Sequence, residues 1–384
     1  MQDLTKKKYV YFDNAATTKI LDKAQQAVLN TMNFNFANPS SLHKFGLNAE
    51  KILNTTRNTI ASSLNCQPDE IVFTSSATLS TNIAILGSMQ KFYRNTKKKI
   101  ITTAIEHAAT KNCLKYLENH GFEIIKIQPS NKIYSANDFI KQIDNNTCLI
   151  SLIHVNNETG LILPIEEITK LAKLKNSNAL IHIDCVQSFT KLPINLTTMP
   201  ADFVSISGHK INAPKGVGVL FIRKNTKINP IFFGGGQENG IFPGTQNVPA
   251  IAGLNTAVKF HIKNSVKHLQ HYKNLKNELI KICKTNPKIK FNFEADKNVP
   301  YIINISIKKI NAQVMLNFLE MHGFLVSSAS ACSKGHLSTV LTNLGYSSER
   351  QQSAIRISLS FNNTMQQVQQ LANTILKGAE TLLH

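Results

Sequence analysis

No apolar run in this chain approaches the roughly 18–20 residues that a membrane helix requires, and the opening MQDLTKKKYVYF is too short and too interrupted for a secretion signal. A soluble cytoplasmic protein is the expectation, with no membrane partner. Cysteine is scarce: six residues in 384, in no repeated spacing, exclude a disulfide framework and a zinc cassette. Each thiol is therefore judged alone, as a core residue or a reactive group. Charged residues make up only 17% of the chain and hydrophobic ones 42%, with 17 Gly and 12 Pro, which excludes collagen, low-complexity disorder and a coiled coil. No internal repeat, RRM-like aromatic motif or Cys/His finger is present. Acid is the scarcer charge, 23 Asp+Glu against 43 Lys+Arg, so the formal net charge is +20. Such an excess favours acidic or polyanionic partners. Yet the lysines are scattered, with only short runs such as Lys6-Lys7-Lys8 and Lys97-Lys98-Lys99, and the wealth of Asn, Ile and Lys equally marks an AT-rich genome. Direct nucleic-acid binding is not expected.

What is present is alternation. From residue 22 to about 258, short β-branched runs at 71–73, 100–102, 124–127, 149–153, 180–183, 203–206 and 217–222 read as strands. Between them, 43–64, 77–92, 107–120 and 164–175 carry helical spacing. Nearly all-apolar strands alternating with helices predict a mainly parallel seven-stranded sheet covered on both faces, with ligands beyond the strands' carboxyl ends. Beyond about 258 the texture changes. A Lys-rich helix (247–285) leads to a strand at 301–307, helices at 311–322 and 336–344, strands at 325–327 and 355–359, and a last helix at 364–382. The expected division is a large domain of residues 14–258 and a smaller α+β domain of residues 1–13 and 259–384.

Asp184 ends the apolar run Ala-Leu-Ile-His-Ile-Asp, and Lys210 follows another strand in Ser-Ile-Ser-Gly-His-Lys. A carboxylate and a lysine at neighbouring strand ends suit pyridoxal phosphate: the lysine forms a Schiff base and the acid pairs with the pyridinium nitrogen. The same residues also read as a helix N-cap and a surface lysine. Phe73-Thr-Ser-Ser-Ala-Thr78 runs from a strand into a helix start, where small hydroxyl residues either cradle a phosphate or simply cap the helix. Ser207 and His209 offer further phosphate donors. His107, after Glu106 at a strand end, either lies on a cofactor ring or is a satisfied structural histidine. Cys332 lies in Ser327-Ser-Ala-Ser-Ala-Cys-Ser-Lys-Gly335, a small, polar stretch expected to be mobile, with Lys334 near enough to favour thiolate. Cys148 and Cys185 read as core residues. Arg356, inside the apolar run Ile-Arg-Ile-Ser-Leu, needs an anion: a substrate carboxylate or a structural ion-pair partner.

Ten motifs now stand in order: Tyr11-Phe-Asp-Asn-Ala-Ala-Thr-Thr18, Asn38-Pro-Ser-Ser41, Glu106-His107, His154-Val-Asn-Asn-Glu-Thr-Gly160, His182-Ile-Asp-Cys-Val-Gln187, Ser207-Gly-His-Lys210, Pro214-Lys-Gly-Val-Gly218, Gly234-Gly-Gly-Gln-Glu238, Pro243-Gly-Thr245 and Ser330-Ala-Cys332. The set resembles the NifS/IscS-type cysteine desulfurases of the class V aminotransferase group, over residues 9 to about 360. That resemblance implies the aspartate aminotransferase-like fold and pyridoxal phosphate. It implies Lys210 as the Schiff-base lysine and the acid/base at the substrate Cα, Asp184 on the pyridine nitrogen and His107 on the ring. It places Asn157 and Gln187 at the phenolic oxygen, with Asn157 also beside the substrate. Ala77, Thr78, Ser207 and His209 would hold phosphate, joined by Thr245 from the other subunit of a homodimer. Arg356 would bind the substrate carboxylate. Cys332 would attack the substrate sulfur, leave alanine and carry a persulfide to an acceptor, an iron–sulfur scaffold or a tRNA-thiolation enzyme.

The chain departs from the family pattern at Ser76 and Leu79 in the phosphate loop, at Phe242 where an arginine is common, at Ser360 where glycine is usual, and in the short segment after Cys332. None removes a catalytic group. A related selenocysteine lyase or aminotransferase is the alternative enzyme. A degenerate fold with a scaffold or RNA-associated role is the non-enzymatic one.

Overall fold

The computed structural model describes residues 9–94, 98–293, 295–328 and 337–382. In chain order, β1 (Val10–Tyr11), α1 (Asp22–Phe34) and α2 (Lys44–Leu64) precede β2 (Ile71–Thr74), α3 (Ala77–Asn82), β3 (Lys99–Thr103), α4 (Ala108–Glu118), β4 (Glu123–Ile127), α5 (Ala136–Ile140), β5 (Thr147–Ile153), α6 (Ile165–Lys175), β6 (Leu180–Asp184), β7 (Phe203–Ser207) and β8 (Gly218–Ile222). Then come α7 (Val248–Cys283), β9 (Ile289–Phe291), β10 (Ile302–Ile307), α8 (Ala312–Met321), β11 (Phe324–Leu325), β12 (Ser327–Ser328), α9 (Thr339–Asn343), α10 (Ser348–Gln352), β13 (Ala354–Ser358) and α11 (Met365–Thr381).

The seven expected strands form one sheet in the order β2-β8-β7-β6-β5-β3-β4, and β8 alone runs against its neighbours. Strands β5, β6 and β7 are buried along their whole length, as both-face coverage demands of continuous β-branched runs. One apolar layer, including Leu53, Ile60, Ile168 and Leu254, covers one face; Val72, Ile83, Ile100 and Phe203 belong to another. The carboxyl ends of β2, β3, β5, β6 and β7 share one edge.

A second sheet, β12-β13-β10-β9, is antiparallel, and β1 pairs with β11 beside it. It packs with α8 and α11 into a separate core of Ile303, Ile305, Met315 and Leu371. Helix α7 joins the two: Val248 to Val258 lie in the first core, Tyr272 to Cys283 in the second. Its 36 residues extend about 54 Å at 1.5 Å per residue.

Two expectations are corrected. The helix over 77–92 is broken into α3, a π-helical turn at Ile83–Gly87 and a 3-10 turn at Gln90–Phe92. Gly87 sits there because a Cβ would come within 2.5 Å of the Asn229 carbonyl. Helix α1 has no counterpart in the sequence reading, since its inward stripe of Ala24, Ala27, Val28 and Thr31 is made of small side chains and only Ala24 and Thr31 of its thirteen residues are buried.

Candidate active site

A cavity of about 520 Å³ opens at the carboxyl edge of the large sheet. Strand ends build its floor. Asp184 closes β6, Ser207 closes β7, and Lys210 follows in the turn Gly208–Lys210. Ten of the twelve residues singled out from sequence line this cavity: Ala77, Thr78, His107, Asn157, Asp184, Gln187, Ser207, His209, Lys210 and Arg356. Thr245 does not; it is exposed on this chain. Cys332 lies outside the described residues, as does Lys334. Leu337, Ser338 and Thr339, shortly after Cys332 in sequence, line the cavity.

The segment after β1 straps the two halves together at the lysine. Lys210 Nζ donates to the carbonyls of Ala15 at 2.5 Å and Ala16 at 2.7 Å. Ala15 N–H in turn donates to Ser358 Oγ at 2.8 Å, and Thr18 Oγ1 donates to the His209 carbonyl at 2.8 Å. Gln187 Nε2 donates to the same Ala15 carbonyl at 2.9 Å, while its Oε1 is buried without a partner.

Asp184 is buried, and one of its oxygens accepts the Val186 N–H at 2.9 Å. Burial pushes its pKa up, opposed by His107 and Lys210. His107 caps α4: its Nδ1 accepts the Ala109 N–H at 3.2 Å, which leaves the proton of a neutral ring on Nε2. Burial holds its pKa below the usual value, with Asp184 opposing and Lys210 and Lys111 assisting. His209 is likewise driven down to about 4, chiefly by burial and then by Lys210.

Arg356 resolves the question of its anion in part. Nη2 donates to Asp13 Oδ1 at 2.7 Å and Nη1 to the Asn157 carbonyl at 3.0 Å, so a structural ion pair exists. Its Nε is buried without a partner. Asn157 itself is presented by a pinned turn. The buried Asn156 Oδ1 accepts the N–H groups of Glu158 and Thr159, both at 2.9 Å. Gly160 adopts φ +76°, and a Cβ there would meet the Ile302 carbonyl at 2.9 Å.

Sequence reasoning missed four residues at this site: Glu106, Lys111, Glu158 and Asp13. Three of them stood inside quoted motifs with no task assigned. Lys111 left no signal, since it reads as one more helix-surface lysine. In the fold its Nζ reaches Thr339 Oγ1 at 2.8 Å, and Glu158 accepts from Ser338.

A mainly parallel sheet with a strand-end acid and lysine at one cavity defines a class, and the chain belongs to the Aminotransferase class-V family, whose family model matches residues 10–371. Its relatives there are cysteine desulfurases, as the ordered motifs led one to expect. That of a Nostoc species is 35% identical over 379 residues, covering 97% of this chain and 93% of the relative. Among solved structures, a NifS-like protein matches with a TM-score of 0.91 at 33% identity, over 96% of this chain and 98% of that one. SspA in complex with cysteine matches with a TM-score of 0.81 at 34% identity, over 91% and 98%.

Proposed function

We propose that this chain uses pyridoxal phosphate to convert L-cysteine to L-alanine and passes the sulfur, as a persulfide on Cys332, to an acceptor in iron–sulfur cluster assembly or tRNA thiolation. The observation that carries the reading is the convergence of Asp184, Lys210, His107 and Arg356 on one cavity. Three features fit the cofactor. Asp184 is a buried carboxyl that gains most from a cationic neighbour, such as a protonated pyridine nitrogen. The buried Gln187 Oε1 lacks a partner. Gly218 leaves room for the backbone of the hydroxyl-rich turn, since a Cβ would lie 2.5 Å from Ser76 C and 2.9 Å from Ala77 N.

Ala77, Thr78, Ser207 and His209 would hold the phosphate, with Thr245 supplied by the second subunit of a homodimer. The exposed apolar residues Phe34, Phe36, Leu42 and Phe45 support such a partner surface. Asn157 and Gln187 would hold the phenolic oxygen. When bound, pyridoxal phosphate supplies the electron sink that makes the substrate Cα–H acidic. Lys210 Nζ then takes the Cα proton, and the carbonyls of Ala15 and Ala16 orient that amine. Asp184 keeps a proton on the ring nitrogen. His107, a neutral imidazole with its proton on Nε2, would lie on the ring. Arg356, whose Nε is buried without a partner, would bind the substrate carboxylate. The Cys332 thiolate would form a new S–S bond to the substrate sulfur as the Cβ–S bond breaks, with the electron pair left on Cβ taking up a proton to become the methyl group of alanine.

The proposed division is residues 14–258 and residues 1–13 with 259–384, and the proposed compartment is the cytoplasm. Among the described residues no helix is long and apolar enough to cross a membrane.

The test uses the purified protein. It should absorb near about 420 nm, as lysine-bound pyridoxal phosphate does, and form alanine and sulfide from cysteine. Cys332→Ser should keep the colour and release no sulfide. Undiminished sulfide from that variant with dithiothreitol would assign the transfer to another group.

A further inference from the structure

Among the described residues that line the cavity, none belongs to the segment 234–247. That segment is nevertheless built at some cost. Glu238 and Asn239 both adopt left-handed backbone, with φ +49° and +56°, which residues other than glycine take up only where their surroundings impose it. The imposing group is the Glu238 carboxylate, which is buried. Its Oε1 accepts from Arg57 Nη2 and from Gln246 Nε2, the latter at 3.1 Å, and its Oε2 accepts the Phe73 N–H at 2.7 Å. Arg57 donates as well to the Ile71 carbonyl and lies over the Phe73 ring, 4.6 Å from its centroid.

This one carboxylate faces two ways. Toward the sheet it holds β2, an edge strand, whose Phe73 N–H and Ile71 carbonyl are taken up by the ion pair. Toward the surface it holds the residue after Thr245. Gly244, the residue before it, donates its N–H to Gln237 Oε1 at 3.1 Å. Thr245 therefore stands exposed between two residues that are both tied to the Gln237–Gly240 turn. A hydroxyl fixed in this way is offered to something outside its own chain's cavity.

We propose that Glu238 is a positioning residue for Thr245, and that it thereby governs pyridoxal phosphate binding in the neighbouring subunit instead of its own. The inference rests on the homodimer reading, in which Thr245 completes the phosphate site of the other copy. A hydroxyl already held in place binds phosphate without the entropy cost of ordering its loop. Without the carboxylate, the loop must be ordered at each binding event. An ion pair that did no more than seal the edge of β2 would act differently. Its loss would pass along β2 into the Thr74–Thr78 turn and weaken the cofactor site of the same subunit. The two roles place the defect in opposite subunits.

Hybrid dimers separate them. Two differently tagged copies are co-expressed, and dimers carrying one of each are isolated. One copy carries Lys210→Ala, so the absorbance of lysine-bound pyridoxal phosphate reads only the other, the reporter. With Glu238→Gln on the Lys210→Ala copy, the reporter should bind pyridoxal phosphate about tenfold more weakly than in the dimer without it, one hydrogen bond's worth. With Glu238→Gln on the reporter itself, affinity should stay within about twofold of that dimer. A loss confined to the reporter's own substitution, or none in either hybrid, overturns the proposal. Gln246→Leu, which removes only the amide that donates to Glu238, is placed in the same two hybrids and should give the same pattern at about threefold. It decides the question if Glu238→Gln does not fold. Thr245→Val on the Lys210→Ala copy tests the underlying reading separately. If it leaves the reporter unchanged, or if light scattering finds a monomer that binds pyridoxal phosphate, the shared phosphate site fails and the role of Glu238 with it.

Discussion

Lys210 is held at the cavity by two backbone carbonyls. The two carbonyls that accept from its Nζ belong to Ala15 and Ala16, in a segment tied to β13 through Ser358. Lys210→Ala should therefore abolish covalent cofactor attachment, and cysteine turnover should fall by about three orders of magnitude or more, the scale of a lost nucleophile and base. Borohydride reduction followed by peptide mapping checks it. The informative rival is Lys191, whose amine burial and the nearby Lys210 bring down to about 7. A reduced adduct on Lys191 in the wild type would refute the assignment. Three of the departures from the family pattern are explained at the same scale. Ser76 has φ −168°, extended backbone open to any residue, and it caps Leu79 N–H through its hydroxyl. Ser360 is not among the described residues with positive φ, so no glycine is needed there. Phe242 replaces a charge with an edge-on ring contact to Phe232 at 5.8 Å.

At the scale of elements, the phosphate turn depends on the strand beside it. Gly218 opens β8 opposite Thr74 of β2, and a Cβ would strike the backbone of Ser76 and Ala77. Gly218→Ala should weaken pyridoxal phosphate binding at least tenfold through that displaced turn, and cost about 1–3 kcal/mol of stability by overpacking. Cofactor titration and urea unfolding measure the two, and unchanged cofactor affinity would detach the turn from the phosphate site. The large sheet was legible because strands buried on both faces must be apolar along their whole length, so all seven runs were visible to within two residues at either end. Helix α1 and strand β9 were not, for the opposite reason. The first buries two residues, and the second is a three-residue edge with an exposed lysine at its centre. Strand-end residues such as Asp184 and Lys210 announced themselves because a polar group directly after an apolar run has few other uses. The environment of Glu106 could not be read that way. Its Oε1 accepts from Thr103 and Ile153 while its Oε2 is buried without a partner, facts of packing between β3 and β5.

For the whole molecule, the unexplained quantity is the net charge of +20. Helix α7 displays part of it: Lys259, Lys263 and Lys267 are exposed at intervals of four, a single-sign row about 12 Å long at 1.5 Å per residue. The one acid on that helix, Glu278, accepts from Gln369. Fields from such rows act over the screening length, about 8–10 Å near physiological ionic strength, and govern encounter more than final affinity. The short segment after Cys332 adds a reason why encounter matters, since a short tether must bring the acceptor close to the basic surface before sulfur can move. Persulfide transfer from Cys332 to an acidic carrier protein should accordingly slow by about tenfold as salt rises several-fold, in the manner of steered association. Sulfide release to dithiothreitol, a small thiol with little charge, serves as the control and should barely change. Transfer and control sharing one salt dependence would mean that the lysines reflect the composition of the genome and recruit nothing. A steeper dependence for transfer alone would establish that the charge does its work at the acceptor's approach.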